Sequence, residues 1–152
     1  MGGAITLDVV GQPKSKGNMT AFCPRRAKGC RPIVTEAKGK RGSDLAKWLR
    51  AVEAAVAKCQ PASLLAGPVQ VSLVFRFRRP KTAKVRAYPD NRSTPDVDKL
   101  ARGVLDAMQA GAGGPAACIG DDSQVASLHA IKRWCADDEE PGCVIHAKEI
   151  GG

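Results

Sequence analysis

Hydrophobic positions divide this chain into segments of two periods. Ala4–Val10 is rich in β-formers and partly alternating, and Gly11-Gln12-Pro13 ends it. A Gly-, Lys- and Arg-rich stretch follows over 11–43, with one short strand candidate at Pro32–Thr35. Ser43 then caps a helix in which Leu45, Trp48, Leu49, Val52, Ala55, Val56 and Cys59 fall on one face. Pro61 and Gly67-Pro68 close it. Val69–Arg78 alternates cleanly: Val69, Val71, Leu73, Phe75 and Phe77 share one side, and Gln70, Ser72, Val74, Arg76 and Arg78 the other. The pattern predicts a strand with one core face and arginines exposed near its end. A second helix is expected from Pro95, with Thr94 as cap and Val97, Leu100, Ala101, Val104, Leu105 and Met108 as its buried stripe. Strands at about 124–133 and 143–149 complete the chain, on either side of an acidic turn. The order β-β-α-β-α-β-β predicts an α+β fold, a single domain over 1–152 with two main helices on a mixed sheet.

Composition narrows the class. Apolar residues make up 43% of the 152, enough for a core without disulfides or a structural metal. No apolar run is long enough to span a membrane, and the N-terminus has no signal-peptide pattern, so a cytoplasmic location is expected. The six cysteines, Cys23, Cys30, Cys59, Cys118, Cys135 and Cys143, form no Cys-x-x-Cys pair, and with His129 and His146 they complete no zinc pattern. They read as free thiols.

Charge adds a direction. The net charge is +9, with 19 Lys/Arg against 5 Asp/Glu in 1–92 and 5 against 10 in 93–152. A basic half suits a polyanion, and an acidic half can supply ligands to cations. Two acidic groups have the chemistry for this: Asp96-Val97-Asp98 at a helix start and Asp121-Asp122 before a strand. Phosphodiester hydrolysis needs an activated water and neutralised phosphoryl charge, and Mg²⁺ held by hard carboxylate oxygens provides both. Each aspartate also has a structural role open to it. Asp96 and Asp98 favour the positive end of a helix dipole, Asp98 can pair with Arg102, and Asp121 and Asp122 suit a turn.

The run Asp96-Val-Asp98-Lys99-Leu100-Ala-Arg102-Gly-Val-Leu105-Asp106-Ala-Met108, followed by Gly120-Asp121-Asp122-Ser-Gln124-Val125, resembles the RusA family of Holliday junction resolvases. Gly11-Gln-Pro13-Lys-Ser-Lys16-Gly17 and Phe75-Arg-Phe77-Arg-Arg-Pro80 resemble further segments of that family, so the likeness runs over nearly the whole chain. The resemblance implies a small homodimer that nicks branched DNA with Mg²⁺, or Mn²⁺ as a substitute, in recombination and repair, often in phage. It implies Asp96, Asp98 and Asp122 as metal-binding catalytic residues, with Asp121 as a weaker neighbour. Arg102 stands where the best-known member has a catalytic lysine, and it keeps the charge without readily releasing a proton. Phosphate contacts are expected from Lys14, Lys16, Arg25, Arg26, Arg76, Arg78, Arg79, Lys81 and Lys99. Two alternatives stand beside this: a less selective nuclease on the same fold, and a basic DNA-binding protein without catalysis.

Overall fold

The computed structural model describes residues 2–17, 19–22, 29, 32–36, 43–59, 64–82, 88–90, 94–109 and 117–151. Its elements are β1 (Ala4–Val10), β2 (Met19–Phe22), β3 (Ile33–Glu36), α1 (Asp44–Cys59), β4 (Val69–Phe77), α2 (Val97–Met108), a 3₁₀ turn η1 (Asp122–Gln124), β5 (Val125–Trp134) and β6 (Gly142–Glu149). The α+β class is the observed one. One strand was not expected: β2 pairs antiparallel with β3 as a separate two-stranded ribbon inside the basic stretch. Four residues each, without an alternating pattern long enough to read, explain why only β3 has a signal in the sequence.

The main sheet has the order β1-β6-β4-β5. β6 runs antiparallel to both β1 and β4, while β5 runs parallel to β4, from Val69 opposite Val125 to Phe77 opposite Trp134. Parallel neighbours need a crossover, and α2 lies in the connection between them. Helix α1 packs on β1 and on α2, and α2 packs on β5, so the helices form one layer. Their apolar stripes meet the face of β4 formed by Val69, Val71, Leu73, Phe75 and Phe77, all buried. Trp48, Val52 and Val56 of α1, and Leu100, Val104 and Met108 of α2, close the core from above.

Helix starts differ in how they are made. Ser43 caps α1 as expected, its Oγ accepting from Ala46 N at 3.2 Å. In α2 the expected cap, Thr94, is engaged elsewhere. Lys132 Nζ of β5 donates to Thr94 Oγ1 and to the Pro95 carbonyl, both at 3.0 Å. The helix therefore begins at Val97, with Asp96 at the cap position and Leu100 N donating to the Asp96 carbonyl.

Arg76 is the main correction to the sequence reading. It was expected to face DNA, but it is 5% exposed. Its Nη2 donates to Asp8 Oδ1 at 2.6 Å, two strands away. The strand between them is β6, and the residue opposite both Arg76 and Val10 is Gly142. A Cβ at Gly142 would lie 2.6 Å from that same Nη2 and 1.9 Å from the Val9 carbonyl oxygen. Glycine thus opens a lane across β6 through which the guanidinium reaches β1.

Candidate active site

The residues singled out from sequence occupy two opposite ends of the β4-α2-β5 unit. At one end, β4 finishes and α2 begins. Asp96 and Asp98 are exposed there, and Asp96 makes no side-chain cap bond to the helix. Its carboxylate instead meets Lys99 Nζ at 3.0 Å, one turn along. Arg102 is exposed one turn beyond Asp98. Arg78, Arg79 and Lys81 leave the end of β4 exposed at this same end. Among the described residues Arg78 makes one long contact, 3.4 Å, with Glu140. Lys14 is half-buried in the segment that follows β1, a segment whose first residue, Gly11, donates its N to the Pro141 carbonyl.

At the opposite end, α2 finishes and β5 begins. Cys118 N and Ile119 N both donate to the Met108 carbonyl, which fixes the chain just before Asp121-Asp122. Asp121 is then used structurally. Its Oδ1 accepts from Ser123 N at 2.8 Å, and the Gln124 side chain returns to the backbone of Gly120 and Asp121, a capping box around η1. The hydrogen bond from Ser123 holds the Asp121 carboxyl below the usual carboxylate range. Gln124 Nε2 also donates to the carbonyls of Leu65 and Gly67, at 3.1 and 2.9 Å. Sequence reasoning gave Gln124 only a place in a motif; its role as the clamp of this corner was missed. Asp122 is exposed beside it. Glu149 draws the same corner together from β6, accepting from Gly3 N and Ala66 N, and these bonds lower its carboxyl as well.

Within one chain, therefore, Asp96 and Asp98 do not meet Asp122. Asp98 and Met108 stand ten steps apart along the helix, about 15 Å at the usual rise. Among the described residues no three His, Cys, Asp or Glu side chains gather as a metal site. The oxygen donors suit a hard divalent ion in kind, but their placement in a single chain does not assemble the three-carboxylate set.

Other expectations shift with the geometry. Lys16 forms an ion pair with Asp106 of α2, so it ties the segment after β1 to the helix. Its charge is partly neutralised within the chain. Arg25 and Arg26 lie outside the described residues. The four described cysteines are free thiols. Burial pushes Cys118 up to about 11 and Cys143 up to about 12, which makes both unreactive core residues.

The family model of the endodeoxyribonuclease RusA matches residues 24–146. The chain belongs to the RusA endodeoxyribonuclease family. The match encloses both acidic motifs of this RusA-family chain, the helix between them and the parallel pair β4 and β5. No curated protein matches it in sequence. Among its described residues no helix is long and apolar enough to cross a membrane.

Proposed function

We propose that this chain, folded as one RusA-like domain over 1–152, is a Mg²⁺-dependent homodimeric endonuclease that nicks four-way and other branched DNA in recombination and repair. Mn²⁺ would serve as a substitute ion, and the cytoplasm of a bacterium, including one hosting a phage that encodes it, is the compartment that fits. The observation that carries the reading is the family match, which takes in both acidic motifs intact. Asp96, Asp98 and Asp122 are proposed as the metal-binding carboxylates, with Asp121 beside them holding the turn. Asp96 and Asp98 support this because they are exposed and neither caps the helix they begin.

DNA would approach the end where β4 stops. Arg78, Arg79 and Lys81 stand exposed at that end, with Lys14 half-buried in the segment after β1. Lys99 joins them on α2, shared with Asp96. Such residues position phosphates without reading bases, so affinity should fall steeply with salt. Arg102, exposed one turn past Asp98, would grip a phosphate oxygen and stabilise charge there rather than donate a proton.

A labelled four-way junction and the matching linear duplex, each incubated with Mg²⁺ and with EDTA, test the proposal. Nicks confined to the junction and to Mg²⁺ are expected. Cleavage of both substrates would leave a less selective nuclease. Tight binding with no cleavage under Mg²⁺ or Mn²⁺ would overturn the enzyme reading and leave a DNA-binding protein, with Arg102 in place of lysine as its explanation.

A further inference from the structure

The two histidines of the chain form no metal pattern along the sequence, yet the sheet sets them in one row. Ser72 of β4 is in register with His129 of β5 on one side and with His146 of β6 on the other. Thr6 of β1 stands opposite His146 in turn. Residues directly opposite one another in a sheet share a face. Thr6, His146, Ser72 and His129 therefore line up across all four strands. Their face is the one turned away from the helices, because the neighbours Leu73 and Ile145 belong to the core. His129 is exposed there, and His146 and Ser72 are half-buried.

Resting on no part of the nuclease reading, we propose that His129 and His146 form a second metal site, bridging β5 and β6 over Ser72. Its ion would be a divalent one that prefers imidazole, of which Zn²⁺ is the probe.

The two rings have the reach for this. Neighbouring strands lie about 4.8 Å apart, so the histidine Cα atoms are separated by roughly 10 Å. Zn²⁺ bonded to an imidazole Nε2 lies roughly 6 Å from that residue's Cα, and two such arms at a tetrahedral angle span about 10 Å. Ser72 is small enough to leave the space between the rings open.

His146 is also oriented for it. Binding through Nε2 requires the ring proton on Nδ1, and Thr6 Oγ1, 2.8 Å from Nδ1, is placed to accept it. With Nδ1 turned to β1, Nε2 occupies the side of the ring nearer β4 and β5. The adjoining row on one side is Val144, Val74 and Ile131, ending at Asp8, whose charge Arg76 takes up. The row on the other side is Ala4, Lys148, Gln70 and Ser127. Lys148 is the one cation of the two rows, and it is exposed, so its long stem can carry the ammonium group into solvent. Two nitrogen ligands, with water in the other positions, make an exchangeable site that favours Zn²⁺ over oxygen-seeking Mg²⁺.

Nuclear magnetic resonance of the histidine ring nitrogens tests the proposal. The reduced protein, in excess Mg²⁺, is titrated with zinc chloride. Both rings should respond at the same Zn²⁺ concentration, each through Nε2, and Mg²⁺ alone should move neither. His129→Gln should weaken the response of His146 by about 100-fold, since a single ligand loses the advantage of the pair. Thr6→Val should weaken both responses by about tenfold, and Thr6→Ser should restore them. Circular dichroism checks that each variant is folded. Rings that respond at different concentrations, or a His146 that keeps its affinity in His129→Gln, would overturn the bridge. Zn²⁺ taken up by the thiols, with both imidazoles unmoved, would overturn it as well. No readout involves DNA or cleavage, so failure of this site and failure of the nuclease reading are separately visible.

Discussion

The two ends of helix α2 carry the same chemistry, a pair of nearby aspartates, and use it differently. At the far end Asp121 is built into the fold: it accepts from Ser123, and Gln124 completes the box around it. At the near end, the backbone before the helix is fixed by Lys132, from β5. Asp96 makes no side-chain cap bond, and it and Asp98 stand exposed at the end of the unit where Arg78, Arg79 and Lys81 follow β4. An acidic residue at a helix start usually repays its place through capping or the dipole. Here a lysine from another element has taken over the work of positioning, and neither carboxylate is spent on the helix backbone, Asp96 pairing instead with Lys99 at 3.0 Å.

Substitutions at the two ends should therefore separate activity from stability. The largest effect is expected from Asp98→Asn. Junction nicking should fall by about 100-fold or more, equivalent to roughly 2.7 kcal/mol of barrier, while the melting temperature stays within about 2 °C because the residue is exposed. A matching fall in melting temperature would show that Asp98 is structural after all. Gln124→Ala should behave in the opposite way. Four hydrogen bonds to two loops are lost, worth about 2 kcal/mol together after water replaces them. Thermal denaturation should show a drop of about 4–8 °C. Nicking measured well below that transition should change much less than in Asp98→Asn.

The smallest effect concerns acid. Because the folded state lowers the Asp121 carboxyl, its contribution is fully present above the usual carboxylate range and is lost as pH falls through the folded value. Melting curves from pH 7 to pH 3 should therefore decline less steeply for Asp121→Asn than for the wild type. The Arg133-bonded Glu139, held at about 2, and Glu149 titrate in both proteins, so the difference between the two curves isolates Asp121. Curves of equal slope would remove the capping role assigned to it.

Much of this architecture was legible in the sequence because it rests on periodicity. The alternating face of Val69–Phe77 is buried as expected, and so are Leu100, Ala101, Val104 and Met108 of the α2 stripe, with Val97 and Leu105 half-buried at its margins. What was illegible depends on distant partners. Nothing near Thr94 shows that Lys132 will claim its hydroxyl and move the helix start to Val97. Nothing near Arg76 shows that Asp8 stands across β6. One signal was present and went unused. A strand, a helix and a second strand in one layer of parallel pairing must set the start of the helix and the start of the second strand at opposite ends. That constraint alone separates Asp96-Val-Asp98 from Asp121-Asp122 by the length of the helix.

The lane at Gly142 has a consequence for how the chain can vary. Asp8, Arg76 and Gly142 lie in three different strands, yet they function as a single word spelled across the sheet. A side chain at 142 displaces the guanidinium and collides with the Val9 carbonyl, loss of Asp8 strands a buried cation, and loss of Arg76 leaves the glycine guarding a gap. Mutational drift at any one of the three is thus hemmed in by the other two, and a lineage that abandons the word has to rewrite it whole.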